Sequence, residues 1–187
     1  MKYILLALML SCSSFASADT YKIDTEGSHA FVQFKIQHLG YSWLYGRFDH
    51  FSGSFEFDEA NPQNASIEMT VQTNSVNSNH TARDKHLRGE DFLNVTKNPT
   101  ATFKSKSFTP TDNNHGTIVG DLTINGVTNE ETFDVKFVGG GKDPWGGFRR
   151  GYEATSEITL ADYQIKKSLG PASEKLILTV SVEGIKQ

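Results

Sequence analysis

From Ala30 onward the chain repeats one pattern, an alternation of apolar and polar residues at a period of two. Ala30, Val32, Phe34 and Ile36 share one face while Gln33, Lys35 and Gln37 share the other. A helix, with faces that recur every ~3.6 residues, cannot separate these sets; a half-buried strand does. The pattern returns seven times: Phe51, Gly53, Phe55 and Phe57; Ile67, Met69 and Val71; Ala101, Phe103 and Ser105; Ile118, Gly120, Leu122 and Ile124; Phe133, Val135 and Phe137; Tyr152, Ala154, Ser156 and Ile158; Leu176, Leu178, Val180 and Val182. Eight strands follow, antiparallel wherever the turns are short. Asn61-Pro62 reads as a turn, and Asn125-Gly126 between two runs predicts a two-residue type I′ hairpin, because both residues tolerate positive φ. Leu39 to Gly46 breaks the alternation and reads as a rim or bend, and Gly139 to Gly147 as a glycine-rich loop.

One stretch, His80 to Asn94, does not read as strand. Thr81 is the candidate cap, Asp84 lies three residues on and Gly89 is placed to end a short helix. Arg83, Lys85 and Arg88 balance Asp84, Glu90 and Asp91, while Leu87, Phe92 and Leu93 supply an apolar side. Such a helix is either a lid on the end of a barrel or a surface element whose apolar groups complete a core.

The N-terminus carries an export signal: Lys2, the apolar run Ile4 to Leu10, and the small-residue site Ala16-Ser17-Ala18. The run is shorter than the ~20 residues a membrane span needs. Cys12 raises lipidation as an alternative, but Leu10 stands where such sites want a small residue. Cleavage after Ala18 removes eighteen of the 187 residues, including the only cysteine, so residues 19–187 must hold together as one β-barrel domain without a disulfide. The formal charge moves from −4 to −5 with the loss of Lys2, and no basic cluster is present, which argues against a nucleic-acid partner.

Long alternating strands suit a sandwich or a closed barrel, and closure removes exposed edges. An eight-stranded barrel has an interior that side chains just fill or that holds one small ligand. Small inward residues (Gly53, Ala101, Gly120, Ala154) set among Phe34, Phe55, Phe57, Phe103, Phe133 and Phe137 fit a channel and fit a solid core equally.

Several motifs carry a resemblance: His29-Ala-Phe-Val-Gln-Phe-Lys-Ile-Gln-His38-Leu-Gly, Gly46-Arg-Phe, Arg83-Asp-Lys-His-Leu-Arg88, Asp91-Phe-Leu-Asn94, Asn98-Pro99 and Gly120-Asp-Leu-Thr-Ile-Asn-Gly-Val-Thr128. Together they resemble the YceI-like family of bacterial polyisoprenoid-binding proteins over essentially all of the mature chain. That resemblance implies an all-β, lipocalin-like extended barrel in the periplasm, often a dimer, holding a long isoprenoid such as a prenylated quinone or its precursor in an interior tunnel. Members often carry Arg and then Asp-Phe-Gly near the end of the seventh strand, where this chain reads Leu160-Ala-Asp-Tyr-Gln164.

The expected ligand-binding residues come from strand alternation: Val32, Phe34, Ile36, Phe55, Phe57, Phe103, Leu122, Phe133, Phe137 and Ala154 along the bore. Tyr41, Trp43 and Tyr45 are placed at its mouth, with His38, Arg83 and Asp84 as candidates for a polar head. The partners implied are the lipid itself and a transient contact with a membrane or a membrane redox protein; no cofactor and no metal are expected. The competing reading is a hydrolase or metal-binding enzyme using Arg83, Asp84 and His86. His80 and Asp84 share a helix face but His86 does not, no Gly-x-Ser-x-Gly occurs, and Gly139-Gly-Gly-Lys142 lacks the Ser or Thr of a phosphate loop. A non-enzymatic carrier is therefore the expectation.

Overall fold

A computed structural model describes residues 18–187 apart from 166 and 168; the expected export signal, up to Ser17, lies outside the described residues. The strands are β1 (Asp19–Ile23), β2 (Phe31–His38), β3 (Ser42–Phe48), β4 (Phe51–Phe57), β5 (Ser66–Gln72), β6 (Val76–Asn77), β7 (Thr100–Pro110), β8 (His115–Ile124), β9 (Val127–Lys142), β10 (Phe148–Thr159) and β11 (Lys175–Lys186), with helix α1 (Thr81–Arg88) between β6 and β7.

These eleven segments make eight staves. β11 pairs with β1 through Gly184 and Lys186, and with β2 from Leu176 to Ser181, so β1 and β2 are one interrupted stave. Likewise β3 and β4 pair with β2 and β1, and β6 and β5 pair with β3 and β4. From there β5, β7, β8, β9, β10 and β11 follow in order, each antiparallel to the next, and the β1–β11 pairing closes the ring. The result is a closed, eight-stranded, antiparallel barrel with one α-helix among the described residues.

Ile124 and Val127 pair across Asn125 (φ 51°) and Gly126 (φ 76°), the anticipated type I′ hairpin. In β7 a bulge between Ser105 and Ser107 inserts one residue, which turns Phe108 to the same inner face as Ala101 and Phe103.

Asp19–Ile23 is a further strand, in which only Tyr21 and Ile23 alternate. Three local expectations are corrected. The rim or bend expected over Leu39 to Gly46 is confined to a tight turn at Leu39 (φ 53°) and Gly40 (φ 79°), after which β3 begins at Ser42. Gly139 to Lys142 continue β9, paired with Phe148 to Gly151, and the turn is shorter. The helix cap is His80, whose Nδ1 accepts from the Arg83 N–H at 3.2 Å, one residue before Thr81.

Two packed clusters share the interior. Tyr21, Ile23, Ala30, Val32, Phe55, Met69 and Val182 fill the β1 end, with Tyr21 stacked on Phe55 at 4.9 Å. Phe34, Ile118, Leu122, Ile124, Phe133, Ile158 and Tyr163 belong to the other, and they pack around a central space.

Candidate functional site

That space is a cavity of about 450 Å³ along the barrel, inside the ~300–1,000 Å³ range of small-ligand sites. Phe34 of β2 occupies the place a side chain at Gly46 of β3 would take, and Phe103 of β7 does the same over Gly120 of β8. Glycine lets each ring lie against the wall of its neighbouring strand instead of crossing the bore. The small residues thus decide between channel and solid core: they receive the rings and leave the axis empty.

Of the expected binding residues, Val32, Phe34, Ile36, His38, Phe55, Phe57, Arg83, Phe103, Leu122, Phe133 and Ala154 line the cavity. Five are not on its wall. Tyr41, Trp43 and Tyr45 are 86%, 45% and 64% exposed, because Leu44 and Phe48 take the inward positions of β3. Phe137 packs on Tyr152, ring centres 5.4 Å apart. Asp84 is buried beneath the helix and does not reach the wall.

The alternation also missed part of the wall. Leu44 and Phe48 were legible once 42–48 is read as a strand, whereas Ile165 and Leu169 come from an irregular segment with no period to find.

α1 closes one end. Leu87, Phe92 and Leu93 turn to the cavity, the last held by the Leu93 N–H donating to the Leu87 carbonyl at 3.1 Å. Two arginines and an aspartate fasten this lid. Arg88 donates to the carbonyls of Asn74 at 2.8 Å and Val76 at 2.9 Å. Arg83 donates through Nε to Ser78 Oγ at 2.7 Å and through Nη2 to the Ser78 carbonyl at 2.6 Å. Asp84 accepts from the Ser78 N–H at 2.8 Å and from Ser78 Oγ. Arg83 and Asp84 therefore meet through Ser78, not directly. Burial works against a charged Asp84, but the Ser78 bonds and the charges of Arg88 and Arg83 outweigh it and hold the carboxyl below its usual range.

Beside the lid, Ser173 Oγ donates to the Gln37 carbonyl at 2.6 Å and draws the segment before β11 over the mouth. Among the described residues, the charged or basic groups on the wall there are His38, Arg83, His86 and Lys167; Glu56 lies on the wall toward the other end, and the rest of the bore is chiefly hydrocarbon and aromatic. This arrangement can take an apolar chain along the axis with a polar end at the mouth. It does not align an acid and base pair, since Asp84 is spent on Ser78.

At the opposite end, Asp24, His29 and Glu183 come close enough to share an ion. Arg149 already occupies that position, with Nη1 2.7 Å from Asp24 Oδ2 and bonded also to Glu183. Its guanidinium, a second bond from the Gly27 N–H and the His29 contact hold the Asp24 carboxyl down at about 2 against the cost of burial.

Comparison with known proteins agrees with this geometry. The chain is 53% identical to a UPF0312 protein of Pseudomonas aeruginosa over the whole of both sequences. It is 55% identical to Protein YceI of Escherichia coli O157:H7, covering 97% of this chain and 94% of that one. Among solved structures, BcnA of Burkholderia cenocepacia superposes with a TM-score of 0.75 at 19% identity, over 86% of this chain and 98% of that one. A YceI protein of Campylobacter jejuni does so at 0.73 and 29%, over 81% and 90%. A polyisoprenoid-binding domain of Saccharophagus degradans, implicated in plant cell wall breakdown, does so at 0.63 and 16%, over 89% and 98%, a likeness of fold. The YceI-like domain profile matches residues 21–184, and with a barrel, lid and bore of this form the chain belongs to the YceI-like family.

Proposed function

We propose that the protein is a non-catalytic periplasmic carrier of a long-chain polyisoprenoid, such as a prenylated quinone or its precursor, with the tail in the bore and the head among His38, Arg83, His86 and Lys167. The observation that carries this reading is the cavity itself, about 450 Å³ with a chiefly apolar wall and most of its charged groups gathered at the mouth. The description of the Saccharophagus relative as polyisoprenoid-binding supports the ligand class.

Each methylene taken out of water into such a bore gains about 0.8 kcal/mol. Taken from a bilayer the gain is small, because lipid is already apolar, and that near-balance lets a carrier both load and release. Leu39, Tyr41, Trp43 and Leu169, all exposed at the mouth end, would rest in the lipid interface during the exchange. The export signal at Met1 to Ala18 supports the compartment, and N-terminal sequencing of the protein from a periplasmic extract should begin at Asp19.

Organic extraction of freshly purified protein followed by mass spectrometry tests the ligand. A prenyl lipid in near-stoichiometric amount is expected. A blank, from protein that also takes up no added quinone, would sink the proposal.

A further inference from the structure

The end of the bore away from α1 is built differently from the mouth. Its wall includes Phe57 of β4 and Tyr152 of β10. Directly behind them Arg150, only 9% exposed, points inward from the same face of β10. Its guanidinium lies 3.9 Å from the centre of the Phe57 ring and 4.9 Å from that of Phe137 in β9. Nε donates to Tyr152 Oη at 2.8 Å and Nη1 to Glu59 Oε1 at 2.9 Å. Tyr152 in turn meets the edge of Phe55 at 5.5 Å and Phe137 at 5.4 Å.

Burying a guanidinium is costly unless it is paired, and leucine would exclude water from a barrel end as well. What arginine adds is direction. It ties rings from three strands to one planar group and binds the Tyr152 hydroxyl with a charge-assisted bond, roughly twice as strong as a neutral one. A tail advancing down the bore meets a ring that cannot swing aside without breaking that bond.

We propose that Arg150, positioned by Glu59 and acting through Tyr152 and Phe57, is a stopper that sets the longest chain the bore accepts in full. This rests on the polyisoprenoid reading and adds to it a residue that selects chain length. Delipidated full-length mature protein, loaded with an equimolar mixture of all-trans prenols from geraniol to decaprenol, passed through gel filtration and extracted, reports the retained lengths by mass spectrometry.

The wild type should show an upper length limit. Arg150→Ala should raise it by one or more isoprene units, and Ala154→Phe, filling the bore one step nearer the mouth, should lower it. Glu59→Ala, which removes the carboxylate partner of Arg150 at a position 78% exposed, should blur the limit upward. Circular dichroism identifies any variant that fails to fold, and the remaining variants carry the test. A wild type that retains prenols without an upper limit, or folded variants that keep the wild-type limit, would overturn the stopper alone. Retention of no prenol at any length would overturn the carrier reading beneath it as well.

Discussion

Phe34 and Gly46 are cross-strand partners, and the ring of the first fills the volume that a side chain at the second would need. Gly46→Val forces that ring off the wall and into the bore. The expected cost is about 1–3 kcal/mol of overpacking, read by urea denaturation, together with a fall in bound lipid per protein after extraction. Unchanged stability and loading would mean that the ring has another place to go.

Asp84 anchors the lid through Ser78, and it lies off the cavity wall. Asp84→Ala leaves the Ser78 donors facing a buried gap at a cost of about 1.5–3 kcal/mol. Folded protein should nevertheless retain its lipid in extraction experiments. A variant of full stability, or one stable but empty, would contradict this assignment.

The acid limit of the fold should sit at the Arg149 cluster. Asp24 has its pKa lowered from 3.8 to about 2, first by the Arg149 bond. A carboxylate depressed in the folded state contributes stability above its unfolded pKa and loses it as protons bind. Thermal midpoints should therefore hold steady above about pH 4 and fall between about pH 4 and pH 2, and Asp24→Asn should flatten that part of the profile.

Gln164 sits at φ 57° and ends the short turn Leu160–Tyr163, with its N–H on the Ala161 carbonyl at 3.0 Å. A left-handed conformation costs a side-chain-bearing residue about 1–2 kcal/mol, and glycine escapes it while giving back part of the gain as unfolded-chain entropy. Gln164→Gly should raise stability by about 0.5–1 kcal/mol, visible as a higher melting temperature. A lower one would show that the glutamine side chain has an unrecognised role.

Trp43 is nearly half exposed with the Lys35 ammonium 4.9 Å from its ring, and Tyr41 is almost fully exposed. Replacing both by Ala should change stability by less than about 0.5 kcal/mol and reduce sedimentation with lipid vesicles. Undiminished vesicle binding would remove this face from the loading step.

The alternation of apolar and polar residues was enough, without coordinates, to specify eight antiparallel staves, the hairpin at Asn125-Gly126 and most of the inward face, because a period of two is a local property of an extended chain. Tyr41, Trp43 and Tyr45 stay off the cavity wall because the register of β3 turns Leu44 and Phe48 inward. Whether the bore is hollow was not legible, since Phe34 over Gly46 is a contact between strands, and composition cannot tell a ring laid along a wall from one thrust across the axis. Arg150 looked like an ordinary strand residue until the ends of β4, β9 and β10 converged on it. Local chemistry wrote the staves; closure of the ring alone decided which side chains would meet and where a space would be left.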